Sequence, residues 1–293
     1  MDTRSLRLNI EKWNETGITG YVALGSTGER VHLDERECLE VVEAARAVVP
    51  EHLAFIVGAG QHSTRATIGE LKRAAQAGAD AALVIAPHFY RASMTQAALL
   101  EYYQRVADAA PVPVVLYNMP ACTGVSIAPE TVARLGEHDN IIGIKDSSGD
   151  FISLAEMLRL VRKDFAVLTG NGSLLYAALC AGAQGAILAA GCAAPRACVQ
   201  IYRAVKTGNY ESARARQQRL TPLARAVTSG YGIGGLKAAL EMLGYSGGAR
   251  VRAPLSVASE EARREIARLI EESRLAEEEA TGNESSLAGA RGL

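Results

Sequence analysis

Ile141-Ile142-Gly143-Ile144-Lys145-Asp146-Ser147-Ser148-Gly149-Asp150 is a short apolar run that ends abruptly in charge, hydroxyls and glycine. Such a run, apolar at nearly every position, is the pattern of a strand buried on both faces, as in a parallel sheet. Comparable runs lie upstream at 20–24, 53–57, 81–86 and 112–117, and downstream at 165–169 and 185–189. Between them, segments such as 34–48, 64–77, 95–109 and 153–161 carry apolar residues at helical spacing. Strand and helix alternating at about 30-residue intervals predict βαβ units and a parallel sheet. Beyond residue 190 the strand signal stops, and helices are expected over 195–206, 210–228, 233–243 and 259–276.

Two α/β architectures fit this alternation. An open doubly wound sheet tolerates seven strands, but no glycine-rich dinucleotide fingerprint or P-loop follows any of these runs. Distinctive residues instead gather where several runs end: Gly25-Ser26-Thr27-Gly28-Glu29, Pro87-His88-Phe89-Tyr90, Tyr117-Asn118-Met119-Pro120, Lys145-Asp146-Ser147 and Gly170-Asn171. In a (β/α)₈ barrel those ends converge on one mouth, where active sites are built. The expected fold is that barrel with a C-terminal helical extension. Seven strands are one short of closure, and the chain opens in a helical pattern over 5–15. A first strand ahead of it is therefore expected to be missing from this sequence. The expected organisation is a catalytic barrel over 1–206, a helical extension over 207–276 and a disordered tail over 277–293.

Composition narrows the function. Of 293 residues, 48% are hydrophobic, enough for a large core. A net charge of −1 and only 5% aromatic residues speak against a nucleic-acid binder. The five cysteines are irregularly spaced and form no C-x-x-C pair, which favours a reducing compartment over a disulfide framework. No apolar run at the N-terminus suits a signal peptide, and the weakly apolar stretch 176–195 is mostly Ala and Gly. A soluble cytoplasmic protein without membrane or nucleic-acid partners is expected. His32, His52, His62, His88 and His138 show no metal-ligand spacing, so no metal is expected, although His88 falls near the presumed mouth.

Lys145 is the most informative residue. Only six of the 31 basic side chains are lysine, and one of them ends a buried strand. Desolvation there favours the neutral amine, which attacks carbonyls, and arginine cannot substitute because it keeps its proton. The bland alternative is a strand-end lysine that snorkels to solvent or pairs with Asp146. Tyr117 ends the neighbouring strand one βα unit earlier, so the two side chains are expected at the same level, about 5 Å apart. A phenol beside an imine can relay protons. The 25–29 loop supplies turn glycines, two hydroxyls and backbone N–H groups suited to an anion such as a carboxylate.

GSTGE at 25–29, YNMP at 117–120 and IIGIKDSSGD at 141–150, in this order and spacing, resemble the dihydrodipicolinate synthase/N-acetylneuraminate lyase family. The resemblance runs from about Leu6 to Leu255. It implies the barrel with helical extension, a homo-oligomer, and a Schiff base between a lysine and a 2-oxo acid, usually pyruvate. It further implies that Lys145 is the Schiff-base lysine and Tyr117 the proton-transferring phenol. Ser26 and Thr27 would hold the carboxylate, while Ser147, Gly170 and Ile187 would line the pocket. No cofactor beyond the covalent imine is implied.

Departures narrow the branch. Cys122 stands where dihydrodipicolinate synthases carry a carboxylate-gripping arginine, and Phe89 where they carry a relay tyrosine. Gly172-Ser173 stand where sialic acid lyases carry Asp-Glu. The runs VPVVLYNMPACTG (112–124) and GIGGLKAALEMLGYSGG (232–248) with RAPL (252–255) resemble the 4-hydroxy-2-oxoglutarate aldolases, which release pyruvate and glyoxylate. The alternatives are a dihydrodipicolinate synthase, another 2-oxo acid aldolase such as a deoxy-sugar-acid or N-acetylneuraminate lyase, and an inactive barrel with a structural or regulatory role.

Overall fold

The computed structural model describes residues 1–273. The expected tail, 277–293, lies outside the described residues. Seven strands form one sheet: β1 (Gly20–Ala23), β2 (Ala54–Ala59), β3 (Ala81–Ile85), β4 (Val114–Asn118), β5 (Ile141–Asp146), β6 (Ala166–Thr169) and β7 (Gly185–Ala186). All pairings are parallel, and the strands lie side by side in chain order from β1 to β7. That order decides between the two architectures. A doubly wound sheet reverses its strand order part-way, whereas a barrel adds each strand beside the last. Among the described residues β1 and β7 each pair with one strand only.

Side-chain alternation gives the sheet two apolar faces. Val84, Val114, Leu116, Ile144 and Val167 point to the helices and join the main core with Leu71, Leu99, Tyr103 and Leu154. Leu83, Val115 and Tyr117 point to the other face with Val22, Ile56 and Ile85. In the central strands β3 and β4 both faces are buried, which is why they read as continuous apolar runs.

The connecting helices start where capping chemistry dictates. Asp34 and Glu37 form a reciprocal capping box ahead of Glu35–Arg46, with Glu37 N–H donating to Asp34 Oδ1 at 2.8 Å. Asp150 accepts from the N–H groups of Ile152 and Ser153, so the helix expected from 153 begins at Phe151. The strand expected over 185–189 is shorter than its apolar run. After Ala186 the chain keeps one more ladder bond, from Ile187 N–H to Thr169 O at 3.0 Å, and then turns into the short helix Ala190–Ala193. The Ala-rich segment after residue 174 also yields an unforeseen helix, Leu175–Cys180.

The described chain divides into two compact units. One spans Thr19–Ile187 and holds all seven strands; the other joins Asp2–Ile18 to the chain from Leu188. Helices Thr3–Asn14 and Pro195–Lys206, expected with the barrel, therefore fall in the helical unit. Asn9 fixes the first of them there by a two-way bond with Ser246, at 2.9 and 2.8 Å, and Trp13 Nε1 donates to Cys192 O at 3.0 Å. Helix Tyr210–Arg225 contains Pro222 and gives way to a π turn, Ala226–Gly230, where one continuous helix over 210–228 was expected.

Candidate active site

β4 and β5 pair so that Tyr117 lies opposite Lys145 and Asn118 opposite Asp146. Because successive side chains point to opposite faces, Tyr117 and Lys145 share one face, and Asn118 and Asp146 the other. Lys145 Nζ sits 4.5 Å from the centre of the Tyr117 ring. Both are buried, at 9% and 4% exposure. The neighbouring-strand placement expected of this pair is observed.

The Tyr117 hydroxyl has two hydroxyl partners. Ser26 Oγ lies 3.2 Å away, reaching from the turn after β1, and Ser147 bonds to it from the end of β5. Burial pushes the phenol above its usual value, and the bonds from Ser26 and Ser147 pull it back down. Tyr117 is thus a neutral phenol at neutral pH, able to donate one proton while accepting another.

Ser26 is aimed by an unusual backbone. Leu24 and Glu29 both adopt left-handed conformations, with φ of 57° and 56°, and bracket the 3₁₀ turn Ser26–Gly28. Inside this turn the N–H groups of Gly28 and Glu29 are taken up by the carbonyls of Gly25 and Ser26. The loop therefore presents fewer N–H groups to an anion than its sequence suggests, which leaves the hydroxyls as its distinctive feature. Thr27 follows Ser26 in the same turn and is half-buried.

Gly170, at the end of β6, closes the site from the next strand. A Cβ there would fall 1.8 Å from Ser147 Oγ and 2.9 Å from Lys145 Cε, so only glycine lets both side chains keep their places. Ile187 stands half-buried just beyond β7. Of the predicted residues, Lys145, Tyr117, Ser26, Ser147 and Gly170 come together within these contacts. Thr27 and Ile187 are placed by their chain neighbours.

Three side chains outside the predicted set matter. Asp146 does not lean on Lys145: it turns to the opposite face, where Asn118 Nδ2 donates to its Oδ1 at 2.7 Å and Ser148 Oγ to its Oδ2 at 2.8 Å. Burial raises the Asp146 carboxyl above its usual value, against the lowering effect of those bonds. His62 and His88 stack edge to face, 4.6 Å between ring centres, and line a cavity of about 840 Å³ together with Ser26, Tyr117, Leu24 and Leu83. Burial and the neighbouring His88 lower the His62 imidazole. The pairing of His62 with His88 had no signal in the sequence, since it depends on two loops meeting. Among the described residues no group of three His, Cys, Asp or Glu side chains is arranged to hold a metal ion, and no helix is long and apolar enough to cross a membrane.

A family model for the dihydrodipicolinate synthetase family matches residues 1–273. The chain belongs to the dihydrodipicolinate synthetase family. A 4-hydroxy-tetrahydrodipicolinate synthase from Methanothrix thermoacetophila is 38% identical over 262 residues, covering 89% of this chain and 87% of that relative. Among solved structures, the prophage protein YagE of E. coli K12, of the dihydrodipicolinic acid synthase family and in complex with pyruvate, aligns with a TM-score of 0.88. It is 30% identical, with 94% of this chain and 93% of that one covered. The chloride-inhibited dihydrodipicolinate synthase of Acinetobacter baumannii, also complexed with pyruvate, aligns with a TM-score of 0.89 at 29% identity and 94% coverage of each chain. As a member of this family the protein is an enzyme, a carbon–carbon lyase of the class I aldolase type, built on the family's barrel with its helical extension.

Proposed function

We propose that this dihydrodipicolinate synthetase family member cleaves a short 4-hydroxy-2-oxo acid, 4-hydroxy-2-oxoglutarate, into pyruvate and glyoxylate, working as a cytoplasmic homo-oligomer without a cofactor. The observation that carries the reading is the Tyr117 hydroxyl, set between two serine hydroxyls while Lys145 Nζ lies 4.5 Å from the same ring. The Lys145 amine adds to the C2 carbonyl and loses water, giving a protonated imine. As the C3–C4 bond breaks, its electron pair moves into the imine to form an enamine. Tyr117 has by then given its phenol proton to the departing water, so its phenolate takes the C4-hydroxyl proton, relayed through Ser26, and glyoxylate leaves. Protonation of the enamine at C3 and hydrolysis release pyruvate and restore the amine. Ser26 and Thr27 hold the C1 carboxylate, and Ser147, Gly170 and Ile187 line the pocket.

The pyruvate carried by YagE and by the Acinetobacter enzyme supports a 2-oxo acid at this site. Cys122, exposed one residue past Pro120-Ala121, supports a branch that lacks a gripping arginine at that place. A guanidinium does lie along the same loop, since Arg91 packs against Gly124, and it is suited to the distal carboxylate of a dicarboxylic substrate. The second reading is dihydrodipicolinate synthase itself, the activity named for the Methanothrix relative.

Borohydride trapping with pyruvate, read by mass, tests the imine: label is expected on Lys145, and label on another lysine overturns the site. Kinetics with 4-hydroxy-2-oxoglutarate, aspartate semialdehyde plus pyruvate, and sialic acid then separate the readings. Efficient condensation with aspartate semialdehyde would replace the first reading with the second.

A further inference from the structure

Asp146 is 2% exposed, as is Asn118, and neither takes part in the chemistry assigned above. A carboxyl is costly to bury unless its oxygens are hydrogen-bonded, so a pair this enclosed is held for a reason. Its bonds tie three segments together. Asn118 Nδ2 donates across the strands to Asp146 Oδ1 at 2.7 Å. Ser148 donates to Asp146 through both its hydroxyl and its N–H, at 2.8 and 3.3 Å, folding the end of β5 into its turn. Asn118 Oδ1 accepts from Ile127 N–H at 3.1 Å, fastening the segment after β4 that carries Cys122.

The same strand pair is irregular at its other end. Val114 pairs with Ile141 but Val115 with Gly143, so one residue of β5 is passed over. A bulge of this kind changes which residues face one another, and a slip of one residue would turn Lys145 to the wrong face. The buried Asn118–Asp146 bond lies beyond the bulge, one position past the Tyr117–Lys145 pair.

We propose that Asp146 is a positioning residue: with Asn118 it forms a buried latch that fixes the register of β4 on β5 and so holds the Tyr117 hydroxyl over the carbon chain bound to Lys145. The inference rests on the aldolase reading given above. The latch acts on proton transfer and bond cleavage, which need the two side chains aligned, and leaves imine formation, which needs the amine, largely untouched.

The test uses the full chain with Asp146→Ala, Asn118→Ala, their double variant and Asp146→Asn, each measured for kcat and KM, for borohydride trapping of pyruvate on Lys145, and for melting. Asp146→Ala and Asn118→Ala are expected to lower kcat about 10²-fold, the scale of a small misplacement at a reacting centre, with KM and the trapped fraction little changed. The double variant should be no slower than either single variant, because one latch is broken once. Asp146→Asn should keep most of the activity, since its amide still accepts from Asn118 and bonds Ser148. Asn118→Ala breaks the latch from the other strand, so the outcome does not hang on Asp146→Ala folding. Unchanged kcat in both alanine variants overturns the latch. Trapping that falls in step with kcat in both also overturns it, as does Asp146→Asn being as slow as Asp146→Ala. Failure of the unaltered enzyme to trap pyruvate at all would instead overturn the aldolase reading.

Discussion

At position 145 the chemistry asks for a primary amine, and the neighbouring phenol asks for a proton partner. Lys145→Arg keeps the charge but cannot give up a proton, so pyruvate-dependent borohydride labelling is expected to vanish. Tyr117→Phe keeps the ring against Lys145 but removes the hydroxyl shared with Ser26. Labelling should persist there while turnover falls by about 10²–10⁴-fold, the worth of a positioned proton-transfer group. Equal loss of labelling in both variants would refute the division of roles. Asp146 gives a pH signature as well. Its folded-state value is raised by burial, so its contribution to stability is fully present below the unfolded value of 3.8 and is lost as pH rises through the raised value. The stability of Asp146→Asn relative to the unaltered protein should therefore improve as pH rises from 3.8 through the raised folded-state value, read from urea midpoints. A difference that stays constant or declines refutes this. Lys145 and Tyr117 were legible because they end apolar runs one βα unit apart and fall inside the YNMP and IIGIKDSSGD motifs that carry the family resemblance. Asp146 was not, because its partner Asn118 sits on another strand and nothing in its spacing says which face it takes.

Among the elements, the strand ends carry the site and the turns aim it. β6 is followed by Gly170, whose missing Cβ leaves room for Ser147 Oγ and Lys145 Cε. Gly170→Ala would drive a methyl group to 1.8 Å from that oxygen, so Ser147 must swing away from Tyr117. Cleavage is expected to slow about 10²-fold with only a small drop in melting temperature. Wild-type kcat in this variant would show that Ser147 does not matter. Gly58 does related work in β2, where a Cβ would meet the Leu24 carbonyl at 2.1 Å, just where the left-handed residue ahead of Ser26 bends the chain. The strands and most helices followed from apolar period and caps. β7 did not, since its run 185–189 looks uniform, and only the turn into Ala190–Ala193 shows that two of its residues stay in the strand.

For the molecule as a whole, surface apolar groups bear on assembly. Phe89 and Tyr90, beside the mouth, are 71% and 72% exposed, and Ile152 on the helix Phe151–Leu160 is 82% exposed. Phe89 and Tyr90 stack edge to face, 5.1 Å between ring centres, and so expose one continuous apolar surface, the kind that marks association sites. Sedimentation at micromolar concentration is expected to show a dimer or larger species, and Phe89→Ser with Tyr90→Ser to shift it toward monomer. A monomer for the unaltered chain would refute the homo-oligomer. Sequence by itself determined the α/β class, the parallel strands and the Lys145–Tyr117 pair, because period, capping and residue chemistry are local and survive in one dimension. Tertiary structure decided the rest: the chain-order pairing of strands, the placing of the helix Thr3–Asn14 with the helical unit, the two serines on the Tyr117 hydroxyl, and the outward turn of Asp146 to Asn118. Each of these depends on contacts between residues far apart in the chain, whose geometry is set by packing and register and leaves no periodic trace in the sequence.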